Sequence, residues 1–201
     1  MFFEPRAKTR LFSEFFFRGE VKNTAGVNRD LILDPEHIIS ETDDFAGMSG
    51  PFWPPKTMRE LIWPPIKRMT DICRKRGVPF LKHTDGDIMP ILEEMADFCG
   101  FQGINPIEPQ CMDMGEVKRR FGNRLYIKGN VDITWVIPYG TEADVRKDVR
   151  RAIDQGAKGG GYIISESNSF HPNCKFENIL TYVDEAKKYG EYPCGKVEAE
   201  D

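Results

Sequence analysis

Five clusters of polar residues, each close behind a short apolar run, hold the side chains of this sequence best suited to chemistry. His83-Thr84-Asp85-Gly86-Asp87 sets an imidazole and a carboxylate two residues apart, a spacing that turns both toward one cavity at the end of a strand. Such a pair can ligate a metal or move a proton, and it can equally be a satisfied structural contact. Asp43 and Asp44 lead into the pliant loop Phe45-Ala46-Gly47-Met48-Ser49-Gly50-Pro51. Adjacent carboxylates repel, so one of the two is expected to hold its proton and act as an acid, unless both are spent on capping. Glu108 stands between Pro106 and Pro109 on a turn stiff enough to fix its carboxylate. Gly129-Asn130-Val131-Asp132 suits either close approach of a ligand to the backbone or an Asx turn, and Ser165, Ser167 and Asn168 complete the series. His171 reads as a solvent-facing loop residue, and Gly159-Gly160-Gly161 lacks the spacing of a phosphate loop and reads as a turn.

The elements that must position these clusters begin near residue 37. Runs at 37–42, 79–83, 100–104, 124–129 and 161–165 are too short for helices, and most are rich in Ile, Phe or Tyr. They lack sustained alternation, as expected of parallel strands covered on both faces. Between them, apolar positions repeat at three and four: Ile88, Ile91, Leu92, Met95 and Phe98 share one helical face. Thr141 and Asp144 predict a capping box opening a helix that buries Val145, Val149, Ala152 and Ile153 and pairs Glu142 with Arg146 outside. Pro64 and Pro65 predict that 56–76 divides into a short helix and a second helix that begins on the prolines. A last helix is expected over 178–188, with Ile179, Leu180, Val183 and Ala186 inward. Strands alternating with helices are the α/β signature. In such folds the carboxyl ends of parallel strands are where ligands bind, which is where all five clusters fall. Residues 1–36, with Phe15, Phe16 and Phe17, do not fit the alternation and are expected to form a packing arm. The body is then 37–192, followed by a polar tail over 193–201.

Bulk properties exclude several functions. With 28 Lys and Arg against 32 Asp and Glu, the net charge of −4 gives no electrostatic reason to expect a nucleic-acid or anionic-membrane partner. No apolar run reaches membrane-spanning length, and the charged N-terminus lacks the pattern of a signal peptide. Cys73, Cys99, Cys111, Cys174 and Cys194 form an odd set without a C-x-x-C pair, so the expected compartment is the reducing cytoplasm.

The stretch from Asp43 to Asp87, followed in order by INPIEP, LYIKGNVD, YGTEADV and GGYIISESNSFHPNCKFENI, resembles the uroporphyrinogen decarboxylase superfamily. That superfamily joins tetrapyrrole decarboxylases and cobalamin-dependent methyltransferases. The resemblance covers about residues 37–192 and implies the C-terminal portion of a (β/α)₈ TIM-type barrel, here about five parallel strands with covering helices. In the methyltransferases it implies a zinc held by a histidine and two cysteines. His83 matches the histidine, while Asp85 and Asn168 stand at the cysteine positions, so harder or neutral ligands replace the thiolates. In the decarboxylase the last strand carries a histidine where this chain has Asn168, and that enzyme's arginine-bearing N-terminal loop has no counterpart here.

The expected function is methyl transfer between a small methylated substrate and a corrinoid carried by a partner protein, with a divalent metal such as zinc as Lewis acid. His83, Asp85, Glu108 and Asp132 are expected to form the acidic centre, with Asp44 beside it; His83 and Asp85 would hold the metal. Asp43, Asn130, Ser165 and Asn168 are expected to contact substrate. The alternatives are a cofactor-free tetrapyrrole decarboxylase and a non-catalytic truncated member. Because five strands cannot close an eight-stranded barrel, self-association or a complementary barrel chain is expected.

Overall fold

The structure is a computed structural model that describes residues 37–191, so the expected N-terminal arm and polar tail lie outside the described residues. Its frame is a parallel sheet of five strands: β1 (Ile39–Thr42), β4 (Phe80–His83), β5 (Gly103–Asn105), β6 (Tyr126–Val131) and β7 (Tyr162–Glu166). They lie side by side in chain order. The two short strands β2 (Ala46–Gly47) and β3 (Gly50–Pro51) form an antiparallel hairpin within the glycine loop. The fold is therefore α/β, with five consecutive strands of a TIM-type barrel wall. All five expected strands are present. β5 begins three residues late because Gly100, at φ 71°, is the left-handed cap of the preceding helix.

Helices cover the outer face. The prolines act as expected in the first turn of α2 (Trp63–Lys75), but α1 (Pro55–Thr57) is joined to it by a π turn over Met58–Ile62 instead of a break. A wider turn carries the helix through the positions where two prolines have no N–H to donate. α3 (Met89–Cys99) buries Ile91, Leu92 and Met95, and α4 (Met114–Phe121) is capped by Asp113, whose Oδ1 accepts from Glu116 N at 2.6 Å. A short α5 (Val136–Tyr139) precedes α6 (Glu142–Gly156), where the Thr141–Asp144 capping box and the Glu142–Arg146 pair both form. In the last helix, α7 (Phe176–Tyr189), Ala186 is buried and Ile179 and Val183 pack against the core as expected, but the inward face is rotated away from Leu180. Asn178, Thr181, Tyr182, Glu185 and Ala186 are buried, while Leu180 is 54% exposed. The rotation has a cause in Glu185, which is buried against Arg146 and Arg150 of α6 at 2.7 and 2.5 Å and fixes which side of α7 faces inward.

Alternation along the strands separates two environments. Phe80, Ile104 and Ile127 point to the helices and join one apolar cluster with α2, α3 and α4, while a second cluster packs α6 and α7 on β6 and β7. His83, Asn105 and Tyr126 lie on the opposite, inner face, where a Cβ on Gly103 would strike the Tyr126 ring.

Candidate functional site

The carboxyl end of β4 is the centre of the polar arrangement. Parallel pairing sets Thr42 opposite His83 and His83 opposite Asn105, so the chain leaving β1, the end of β4 and the end of β5 arrive together. Asp44 reaches across so that its Oδ1 accepts from Asp85 N at 3.0 Å. Asp85 Oδ1 lies 3.4 Å from His83 Nε2, and its Oδ2 accepts from Asn168 Nδ2 at 2.6 Å. Ligand atoms of Asp44, His83 and Asp85 all lie within 4.8 Å of one another. Glu108 joins from the β5 loop, where its Oε2 accepts from Gly86 N at 2.7 Å. Gly86 is required there. It sits at φ 83°, and a Cβ would come within 2.4 Å of Ala46 O in β2.

Beneath this cluster lies a lysine from the otherwise apolar run of β4. Lys82 is fully buried, and its Nζ donates to Asp43 O at 2.8 Å and His83 O at 2.5 Å. It also stands 2.7 Å from Glu41 Oε2, an ion pair not aligned as a hydrogen bond, and 4.3 Å from the centre of the Phe45 ring. The ammonium thus ties the exit of β1 to the end of β4. Its sequence signal was a charge inside a run otherwise fit for burial, one strand over from an equally placed acid.

The electrostatics follow from burial. Burial pushes the Asp85 carboxyl up to about 6, with the charges of Glu108 and Asp44 adding to it and the Asn168 hydrogen bond opposing. His83 is held below its ordinary value, chiefly by burial, with Lys82 and Lys128 adding and Asp44 and Glu108 opposing. The centre therefore keeps a neutral imidazole beside a carboxyl that takes up a proton readily. Asp85 is the acid raised in this way, and Asp43 and Asp44 stand side by side at the exit of β1. Those two neighbours part company: Asp43 turns to Glu41, and Asp44 to Asp85.

The remaining sequence candidates are engaged elsewhere. Asp132 accepts through Oδ1 from Thr134 N and Trp135 N at 2.6 and 3.0 Å and through Oδ2 from Gln110 Nε2 at 2.8 Å, which is the Asx turn. Asn130 donates to Ile107 O at 2.9 Å and accepts from Arg151 at 3.1 Å, and the Ser165 hydroxyl donates to Glu166 O. At Gly129 the close approach is made by protein: a Cβ would meet Pro106 O at 1.9 Å. His171 is half-buried instead of facing solvent, and its Nε2 lies 3.0 Å from Ile133 O. Near Glu108, burial and that carboxylate push the Cys111 thiol up to about 11, and its Sγ donates to Glu108 Oε2 at 3.5 Å. A recess of about 530 Å³ on the outer face of α6 contains Arg146 and Arg150, both paired with Glu185.

The residue most clearly missed is Asn105. It is 6% exposed and places Nδ2 3.1 Å from His83 Nδ1, while its Oδ1 has no hydrogen-bond partner. Asp85 Oδ1 is a second buried oxygen without a hydrogen-bond donor. Only the inter-strand register puts Asn105 beside the imidazole.

These features define a barrel-wall segment with a His-carboxylate cluster where its strands end. The family model described as Uroporphyrinogen decarboxylase (URO-D) matches residues 40–189. The chain belongs to the uroporphyrinogen decarboxylase family. It is 29% identical over 79 residues to a uroporphyrinogen decarboxylase of Thioalkalivibrio sulfidiphilus, covering 39% of this chain and 22% of the relative. It is 27% identical over 152 residues to the methylcobamide:CoM methyltransferase MtaA of Methanosarcina barkeri, covering 76% of this chain and 42% of that one. A methyltransferase from Methanosarcina mazei shares the fold at a TM-score of 0.62 and 20% identity, covering 76% of this chain and 42% of that chain. The chain spans less than half the length of these relatives.

Proposed function

We propose that the chain carries the centre of a methyltransferase that moves a methyl group between a small substrate and a corrinoid carried by a partner protein. The observation behind this reading is the Asp44–His83–Asp85 cluster, with an imidazole nitrogen and two carboxylate oxygens within 4.8 Å of one another. The set fits a divalent cation of the zinc class, because Asp85 Oδ1 is buried with no hydrogen-bond donor and the neutral imidazole is a nitrogen ligand. When bound there, the cation would supply Lewis acidity to the attacking or leaving atom. The protein's own residues hold and orient. Asn168 fixes Asp85, Lys82 fixes the backbone of Asp43 and His83, and Glu108 holds the Gly86 turn. In the metal-free chain the Asp85 carboxyl is raised to about 6, so coordinating the cation would release its proton. Likeness to a methyltransferase over 76% of the chain supports this branch.

Cofactor-free decarboxylation of a tetrapyrrole is the second reading, favoured by the match to a uroporphyrinogen decarboxylase and by acids that could face pyrrole N–H groups. Pairing with a second chain along β1 or β7, which lie at the two ends of the strand order, is part of both readings. A single well-folded monomer on gel filtration would count against that pairing.

Zinc-loaded protein mixed with methylcobalamin and a small thiol tests the first reading. Loss of the methylcobalamin spectrum that depends on His83 and Asp85 is the expected result. An unchanged spectrum, with coproporphyrinogen formed from uroporphyrinogen, would replace it with the second.

A further inference from the structure

We propose that Asn105 is the positioning residue that sets which nitrogen of His83 bears the proton, and that its amide turns over when a cation enters the centre. The inference rests on the reading of Asp44, His83 and Asp85 as a cation centre. In the arrangement seen, the Asn105 NH₂ lies 3.1 Å from His83 Nδ1 and donates to it, so Nδ1 carries a lone pair. The proton of a neutral ring then sits on Nε2, the nitrogen 3.4 Å from Asp85 Oδ1. A protonated Nε2 cannot coordinate a cation shared with Asp85 and Asp44.

Half a turn of the amide about its Cβ–Cγ bond exchanges oxygen and nitrogen. Oδ1, which has no partner in the arrangement seen, then accepts from an Nδ1–H. The ring proton moves from Nε2 to Nδ1, and the Nε2 lone pair faces the two carboxylates. In the form seen, the amide oxygen is the atom left without a partner. With the site empty, the Asp85 carboxylate beside Nε2 favours a proton there, and a cation at Nε2 reverses that preference. Asn105 is suited to this because its amide offers a donor and an acceptor from one buried position. Ligating histidines commonly have their second nitrogen oriented in this way by an acceptor.

Long-range ¹H–¹⁵N correlation of the full chain reads the protonation of each ring nitrogen directly. The chain has three histidines, and His83→Ala assigns the signal that matters. Metal-free protein at pH 8 is expected to carry the His83 proton on Nε2, and zinc chloride is expected to move it to Nδ1. Asn105→Leu, which offers neither donor nor acceptor, is expected to weaken zinc binding by about 10–100-fold in calorimetry. Asn105→Asp, an acceptor only, is expected to hold His83 in the Nδ1–H form before zinc is added and to bind at least as tightly as the unaltered chain. An Nε2 proton that persists with zinc bound overturns the proposal while leaving the cation centre intact, and so does an Asn105→Leu chain that binds zinc with unchanged affinity. Absence of zinc binding by the unaltered chain overturns both. If Asn105→Leu does not fold, the Asn105→Asp tautomer decides: a proton still on Nε2 in that variant refutes the inference.

Discussion

The two halves of the sheet end in similar residue types and use them differently. Behind β6, the polar groups are consumed by the scaffold: Asp132 closes an Asx turn, and Asn130 is held by Ile107 and Arg151. Behind β4 and β5, two buried oxygens, on Asp85 and Asn105, have no hydrogen-bond partner, and an acid is raised to about 6. A buried polar atom left unpaired costs roughly 1–3 kcal/mol, so two such oxygens close together are open to a ligand that supplies the missing partner, and Trp63 Nε1 and Tyr126 OH are unpaired elsewhere in the core. Satisfied and unsatisfied strand ends therefore differ in what they leave open to a ligand where residue type alone does not differ.

The contrast is broken most directly at its two poles. His83→Ala is expected to lower zinc affinity by more than the roughly 10–100-fold that loss of a supporting partner costs, with little change in the melting curve. Asp132→Ala should do the reverse, leaving zinc affinity within about twofold, well inside that range. It should destabilise the fold by about 1–2 kcal/mol through loss of the turn, measured by urea unfolding. Equal effects of the two variants on zinc would abolish the distinction.

Gly86→Ala should affect both quantities, because its Cβ would meet Ala46 O at 2.4 Å in a left-handed conformation. A stability loss of about 1–3 kcal/mol is expected, together with weaker zinc binding as the Asp85 turn shifts.

The pH dependence sharpens the comparison further. Asp85 is raised from 3.8 to about 6 on folding, so between those values the native state holds a proton that the unfolded state has released. Its contribution to stability is present below about 3.8 and is lost as pH rises through 6. Zinc affinity should move oppositely, strengthening as Asp85 ionises. Asp85→Asn should therefore remove zinc binding yet stabilise the metal-free chain at pH 7.5 by about 1 kcal/mol, and thermal melts over pH 4–8 check the sign. The smallest effect belongs to Leu180→Ala, at less than about 0.5 kcal/mol, because that side chain is 54% exposed.

Much of this molecule was readable in advance because its signals are local. Five apolar runs, the repeat at three and four, and the Thr141–Asp144 capping box depend on neighbours a few residues away, and each produced the element expected. The meeting of Asp44, His83, Asp85 and Asn168 was not local, and neither was the rotation of α7. Leu180 satisfied the helical period yet lost the inward position to Tyr182 and Glu185, since the arginines of α6 bind Glu185.

What the sequence determined by itself was the order of strands and helices and the presence of a polar group behind each strand, because backbone periodicity and turn chemistry are written in short segments. What the tertiary structure alone decided was which of those groups are spent and which are left over. Inter-strand register and burial set that outcome: they bring Asn105 beside His83, seat Lys82 beneath both strand ends, and leave the oxygens of Asp85 and Asn105 without a donor.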